Sequence, residues 1–133
     1  MATEFHTMTL PADPTVTAPD GSDVRVLLQL AGGGMAHFQL AAGQVARAVV
    51  HRTVEEIWYV VAGRGEMWRR AGAREQLIEL KPGVCLTIPL GTHFQFRAAD
   101  DQSVSAVAIT MPPWPGPDEA LSVPGPWVPS VRG

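Results

Sequence analysis

Glycine and proline break this chain at short intervals, 13 of one and 12 of the other spread through 133 residues instead of gathered in one linker, and that punctuation belongs to an all-β chain. Between the breaks lie short runs rich in Val, Ile, Phe, Trp and Thr: Val24 to Leu30, Met35 to Ala41, Val45 to His51, Glu56 to Val61, Glu66 to Arg70, Glu75 to Leu80, Val84 to Ile88, His93 to Arg97 and Val104 to Thr110. Such residues fit a pleated, half-buried surface, so the runs predict about nine strands. The breaks, among them AGGG at 31–34, AGRG at 62–65 and KPG at 81–83, suit tight turns and hairpin connections. Many short strands joined this way point to a small antiparallel barrel or sandwich.

One stretch resists that pattern. Gln44 to Glu56, QVARAVVHRTVEE, has enough Ala, Gln, Arg and Glu to form a helix by propensity alone. As a strand it sets Val45, Arg47, Val49 and His51 on one face and Ala46, Ala48, Val50 and Arg52 on the other. So weak an alternation suits a strand covered on both sides. The ends differ in kind: residues 11–20 and 112–130 are Pro-rich and excluded from a central strand. They read as arms. Trp114 and Trp127 in the second arm are too apolar to leave in water, so they should pack on the barrel wall, on a second subunit or over a pocket.

The length fits one domain, 1–133, with a core at about 24–110 and arms at 1–23 and 111–133. Apolar residues at 46% and charged residues at 17% are the balance of a packed protein. The net charge is −3, and no basic cluster is denser than Arg69-Arg70, which argues against nucleic acid as a partner. The first fifteen residues lack the apolar stretch of a secretion signal, and no run is long enough to span a bilayer, so the expectation is a cytoplasmic protein with no membrane partner. The single cysteine, Cys85, has no internal disulfide partner and reads as a packing residue.

Gly43 to Gly63, GQVARAVVHRTVEEIWYVVAG, resembles the first motif of the cupin superfamily: Gly, five residues, His, one residue, His, three or four residues, Glu, six residues, Gly. Gly83 to Phe96, GVCLTIPLGTHFQF, resembles the second: Gly, five residues, Pro, one residue, Gly, two residues, His. The glycines, Pro89, His51 and Glu56 match. Val49 stands where the first motif has its first His, and Phe94 where the second motif has its own. The resemblance implies a double-stranded β-helix, or jelly-roll barrel, with a site inside it. The homodimers common in the family, together with the apolar arms, lead to the expectation of a homodimer.

In metal-binding cupins the two motifs supply three His and one Glu to a divalent ion, commonly iron, manganese, nickel, zinc or copper. Here only His51 and Glu56 remain of that set. A one-residue shift or bulge at Gly91-Thr92 would bring His93 inward and restore a two-His, one-carboxylate set; otherwise His93 faces outward. Alternation also turns Arg47, Val49, Trp58, Phe94 and Phe96 inward, and Met67 joins the expected pocket. His37 is a further imidazole of structural or site role.

Three functions follow as alternatives. One is a cupin binding a small organic molecule through Arg47, Val49, Trp58, Met67, Phe94 and Phe96. Another is a non-haem oxygenase or isomerase holding a metal on His51, Glu56 and His93. The third is a metal-free isomerase or epimerase in which the Glu56 carboxylate raises the pKa of His51 and the pair moves protons.

Overall fold

The computed structural model of the protein describes residues 4–131, so positions 1–3 and 132–133 of the expected arms lie outside the described residues. Strand β1 (Val16–Thr17) is followed by β2 (Asp23–Leu30), β3 (Gly33–Leu40), β4 (Val49–His51), β5 (Glu55–Gly63), β6 (Gly65–Ala71) and β7 (Arg74–Leu80). Then come β8 (Cys85–Ile88), β9 (His93–Ala98), β10 (Val104–Met111), a single 3-10 turn at Pro117–Glu119, and β11 (Ala120–Ser122). Two antiparallel sheets result, one ordered β1-β2-β3-β10-β5-β8 and the other β11-β4-β9-β6-β7. No helix among the described residues is long and apolar enough to cross a membrane.

Eight of the nine expected runs form strands within two residues of their expected ends. Val45 to His51 is the exception. Only Val49–His51 is a regular strand, while Val45 makes an isolated bridge to Arg97. The backbone between them directs its hydrogen bonds elsewhere: Arg47 N donates to Asp20 O at 2.8 Å, and Ala48 O accepts from Val123 N at 3.0 Å. The expectation that this stretch is covered on both faces holds, since Ala46 and Ala48 are buried along with Val49 and His51. The cover on the outside is the C-terminal arm.

Gln95 fixes that arm. Its amide Nε2 donates to Ala46 O at 2.8 Å and Trp127 O at 2.9 Å, while Oε1 accepts from Trp127 N at 3.2 Å. A buried amide needs such partners on both its ends. The Trp127 ring lies under the Arg97 guanidinium, 4.0 Å from ring centroid to Cζ, a favourable contact of a cation with a π face. Both arms also add an edge strand: β1 pairs with β2, and β11 with β4. Edge positions tolerate Pro-rich chain because only one side of the strand must donate to a ladder.

The core sits between the sheets and is filled unevenly. On β5 burial alternates, with Glu56, Trp58 and Val60 inward and Ile57 and Tyr59 outward. One end of the barrel is closed by Leu40, Val60, Met67, Leu80, Phe96 and Val104, all buried. Toward the other end the inward positions of β3 and β10 are small: Ala36 and Ala108 are register partners, and Ala108 in turn faces Trp58. Small side chains on two adjacent strands leave space there that the neighbouring rings do not fill.

Candidate functional site

That space is a cavity of about 720 Å3, walled by both sheets and roofed by both arms. Its floor includes Val49 and His51 from β4, Phe94 from β9, Glu56 and Trp58 from β5, Phe38 from β3 and Thr110 from β10. Its rim includes residues 16–20 of the N-terminal arm and Trp114, Gly116 and Pro117 of the C-terminal arm. Strand alternation explains the floor: residues two apart in β4, β5 and β9 share the inward face.

The two halves of the motif residues come from opposite walls. Strand β4 belongs to the five-stranded sheet and β5 to the six-stranded one, so Glu56 approaches His51 across the barrel and not from an adjacent strand. Val49 and Phe94 are register partners. The two positions that lack a histidine therefore sit side by side on one wall and make it apolar.

Aromatic rings organise the interior. Trp58 stacks on Phe38 with centroids 5.2 Å apart and planes within 6°, and meets Phe96 edge-on at 5.0 Å. His51 is held edge-on between Phe94 at 5.1 Å and Trp114 at 5.2 Å. Its Nδ1 is buried with no hydrogen-bond partner among the described residues. Burial pushes His51 down to about 4 against the pull of the Glu119 carboxylate, so the ring is neutral at ordinary pH.

Glu56 is 3% exposed. Its Oε1 accepts the indole N–H of Trp58 at 2.9 Å. Burial pushes its carboxyl up to about 7; the Trp58 hydrogen bond works against this, and the carboxyls of Asp20 and Glu119 add to it. The expected His51–Glu56 pair, with the imidazole raised by the carboxylate, is thus corrected. Glu56 is bonded to Trp58, the carboxylate acting on His51 is Glu119, and burial outweighs it.

Glu119 is the residue of this neighbourhood that sequence reading passed over. It sits at the end of the 3-10 turn, where Oε2 accepts from Thr53 N at 2.7 Å and Val54 N at 2.9 Å, and Oε1 from Thr53 Oγ1 at 2.5 Å. Burial works against its ionised form, but these hydrogen bonds and nearby His51 outweigh it and hold the carboxyl below its ordinary value. The contact pins the segment carrying Trp114 over the cavity. Glu119→Ala leaves two backbone N–H groups without partners, so urea denaturation should show a loss of roughly 2 kcal/mol; an unchanged midpoint would mean that the arm is held by other contacts.

Other expected site residues lie elsewhere. Arg47 is half-buried outside the cavity wall, its Nη1 donating to Pro19 O at 3.0 Å, because the strand that would have turned it inward ends at Val49. Met67 and Phe96 are register partners in the packed end of the barrel. His93 pairs with Val50 and Arg70, and β9 runs against β6 with no shift of register from Ala98 to His93. Without the bulge, His93 stays on the face opposite Phe94. His37 is on the outer face of β3, opposite Arg25 and Val107, and burial and the Arg25 charge lower its pKa. Of the arm tryptophans, Trp114 roofs the cavity and Trp127 packs on the outer wall.

The donor set does not fit the metal centre that the motifs imply. Only His51 and Glu56 of the four positions carry lone pairs, Val49 and Phe94 fill the others, and no group of three or more His, Cys, Asp or Glu among the described residues is placed to hold an ion. Two protein ligands fall short of the three that a catalytic site of this kind uses.

Comparison with known proteins agrees with the barrel. The model of the cupin domain family matches residues 36–110. No curated protein matches the sequence. Among solved structures, a protein from Bacillus halodurans is 18% identical with a TM-score of 0.63, the alignment covering 77% of this chain and 76% of that one. KdgF from Halomonas sp. is 18% identical with a TM-score of 0.61, over 69% of this chain and 79% of its own. A Bacillus subtilis oxalate decarboxylase variant is 13% identical with a TM-score of 0.68, over 80% of this chain but only 29% of its own. At these identities the likeness is one of fold.

Proposed function

The chain belongs to the cupin family, and on that premise we propose that it binds a small organic molecule in the cavity between its sheets, with no metal ion taking part. The observation that carries this reading is the cavity itself. About 720 Å3 walled mainly by apolar side chains, with Glu56 and His51 as convergent polar groups, is the size and make-up of a ligand site. The fold alone does not name a ligand or a reaction.

Saturable binding of a neutral apolar dye such as N-phenyl-1-naphthylamine, with quenching of the cavity tryptophans Trp58 and Trp114, is the expected result. Ala36→Phe places a ring in the space beside Ala108 and should weaken the dye at least about tenfold. Binding that never saturates, or that the filled cavity leaves unchanged, removes the proposal.

The carboxyl of Glu56 near 7 supports a second reading, metal-free proton transfer in an isomerase or epimerase, since an acid or base works best when its pKa lies near the working pH. His51, neutral and wedged between rings, would orient the ligand in that case and not exchange protons. A turnover whose rate lacks a limb near pH 7 in wild type, or survives Glu56→Gln, would count against it.

A further inference from the structure

The charges around the cavity discriminate among ligands. Asp20 and Glu56 line it, Glu119 lies close enough to act on Glu56, and no Lys or Arg among the described residues is part of the wall. Asp20 already accepts Ser22 N at 2.9 Å and Ser22 Oγ at 2.6 Å, with the Arg47 charge nearby. Glu119 is filled by Thr53 and Val54. Glu56 is the least filled of the three: the Trp58 indole on Oε1 is the one hydrogen bond its side chain accepts among the described residues, although it is nine-tenths buried and on the cavity wall. Its second oxygen is not sealed in the interior but open to the cavity, where a donor on a bound molecule would complete it.

The rings around it narrow the choice. Phe38, Trp58, Phe94 and Trp114 all contribute to the wall, and aromatic faces attract cations most strongly where water is excluded. We infer that the cavity takes an organic amine in its protonated form, its ammonium on the second oxygen of Glu56 and its hydrocarbon or aryl part against Phe38, Trp58, Phe94 and Trp114. This rests on the small-molecule reading given above and adds the chemical class. A carboxylate ligand would bring a like charge toward Asp20, Glu56 and Glu119 with no Lys or Arg of the described residues in the wall to receive it. Neutral His51 opposes neither.

The amine must find Glu56 ionised. Asp20 and Glu119 face Glu56 from the two arms, Trp58 bonds it from its own strand, and uncharged Thr110 and Ile88 are its register partners on the strands beside it. Burial and the two carboxyls keep it largely protonated at pH 6, so binding there expels a proton, whereas at pH 8 the carboxylate is ready. Affinity therefore rises between these pH values, by about tenfold for a group near 7.

The test is displacement of N-phenyl-1-naphthylamine from wild-type protein by 3-phenylpropylamine, 3-phenylpropan-1-ol and 3-phenylpropanoate at pH 6 and pH 8. The amine should bind at least about 30-fold tighter than the alcohol at pH 8, lose about tenfold of that affinity at pH 6, and leave the carboxylate far behind. In Glu56→Gln its advantage over the alcohol should fall below about threefold. If the alcohol or the carboxylate displaces the dye as well as the amine does, or if none of the three displaces it, the amine is overturned while the cavity remains a ligand site. If the dye itself does not enter, the small-molecule reading falls and this inference with it. Should Glu56→Gln not fold, the wild-type ranking decides alone.

Discussion

Gly63→Ala is expected to leave little or no folded protein at 25 °C. Gly63 ends β5 with φ +81°, and a Cβ added there would lie 1.8 Å from Ser103 O, 2.7 Å from Ser103 C and 3.0 Å from Val104 Cα. All three are backbone atoms, so no side-chain rotation relieves the overlap. Ser103 O cannot simply retreat, because it accepts the Arg64 N–H at 3.1 Å, and Val104 is the register partner of Gly63 in the β5–β10 ladder. The left-handed conformation costs about 1–2 kcal/mol for an L side chain. Displacing β10 adds the loss of ladder bonds on both its sides, since it lies between β3 and β5. A total above about 4 kcal/mol is a large part of the 5–15 kcal/mol that holds a domain of this size together. Gly83→Ala is the control: φ is +94° but nothing lies within 4 Å of the new methyl, so only the conformational cost, about 1–2 kcal/mol, should appear. Soluble yield and melting temperature of the two variants, measured side by side, check the claim; a Gly63→Ala protein that melts like Gly83→Ala would contradict it.

The same glycine shows what was legible beforehand. Short alternating runs and the Gly and Pro between them are local features, and eight of the nine runs they mark are strands because each strand's inward face is written in its own period of two. Val49, His51, Glu56, Trp58 and Phe94 follow from the same alternation and do line the cavity. Arg47 does not, because alternation was carried past the point where the strand stops; what stops it, the carbonyl of Asp20, lies 27 positions away in sequence (47 less 20). Glu119 was out of reach for the same reason, and nothing local chose for Trp114 among barrel wall, second subunit and pocket. They reach the site on a Pro-rich arm with no periodicity, and their roles depend on Thr53, Val54 and His51, partners about 60 positions earlier in the chain. Phe38 was nearer to hand: it alternates with His37 in MAHFQLA, but the imidazole drew the reading to the outward-facing residue of the two. His93 takes the outward of the two placements the motif left open, since the bulge that would have completed a ligand set is absent.

Glu56→Gln is expected to stabilise the protein strongly at pH 8 and hardly at all near pH 4. In the folded chain the Glu56 carboxyl stands at about 7 against an ordinary 4.5, so the folded state holds this proton more tightly than the unfolded chain does. The stability it supplies is complete below pH 4.5 and is lost as pH rises through about 7. At about 1.4 kcal/mol per pH unit, that gap is worth about 3 kcal/mol. His51 runs the other way: at about 4 against an ordinary 6.5, it makes the folded state gain stability as pH rises from about 4 to 6.5. In wild type the two slopes oppose one another over pH 4.5–6.5, and the curve there should be nearly flat. Gln keeps the shape of the side chain and an oxygen for the Trp58 N–H, but has no proton to lose, so the His51 slope stands alone and the variant rises to a plateau above pH 6.5. The difference between variant and wild type then grows from near zero at pH 4 to about 3 kcal/mol at pH 8, a rise in melting temperature on the order of 5–10 °C. Parallel urea titrations across this pH range measure it directly. Two parallel curves would mean that Glu56 titrates in the folded protein at its ordinary 4.5, and the cavity would then hold a full negative charge at neutral pH even before any ligand arrives.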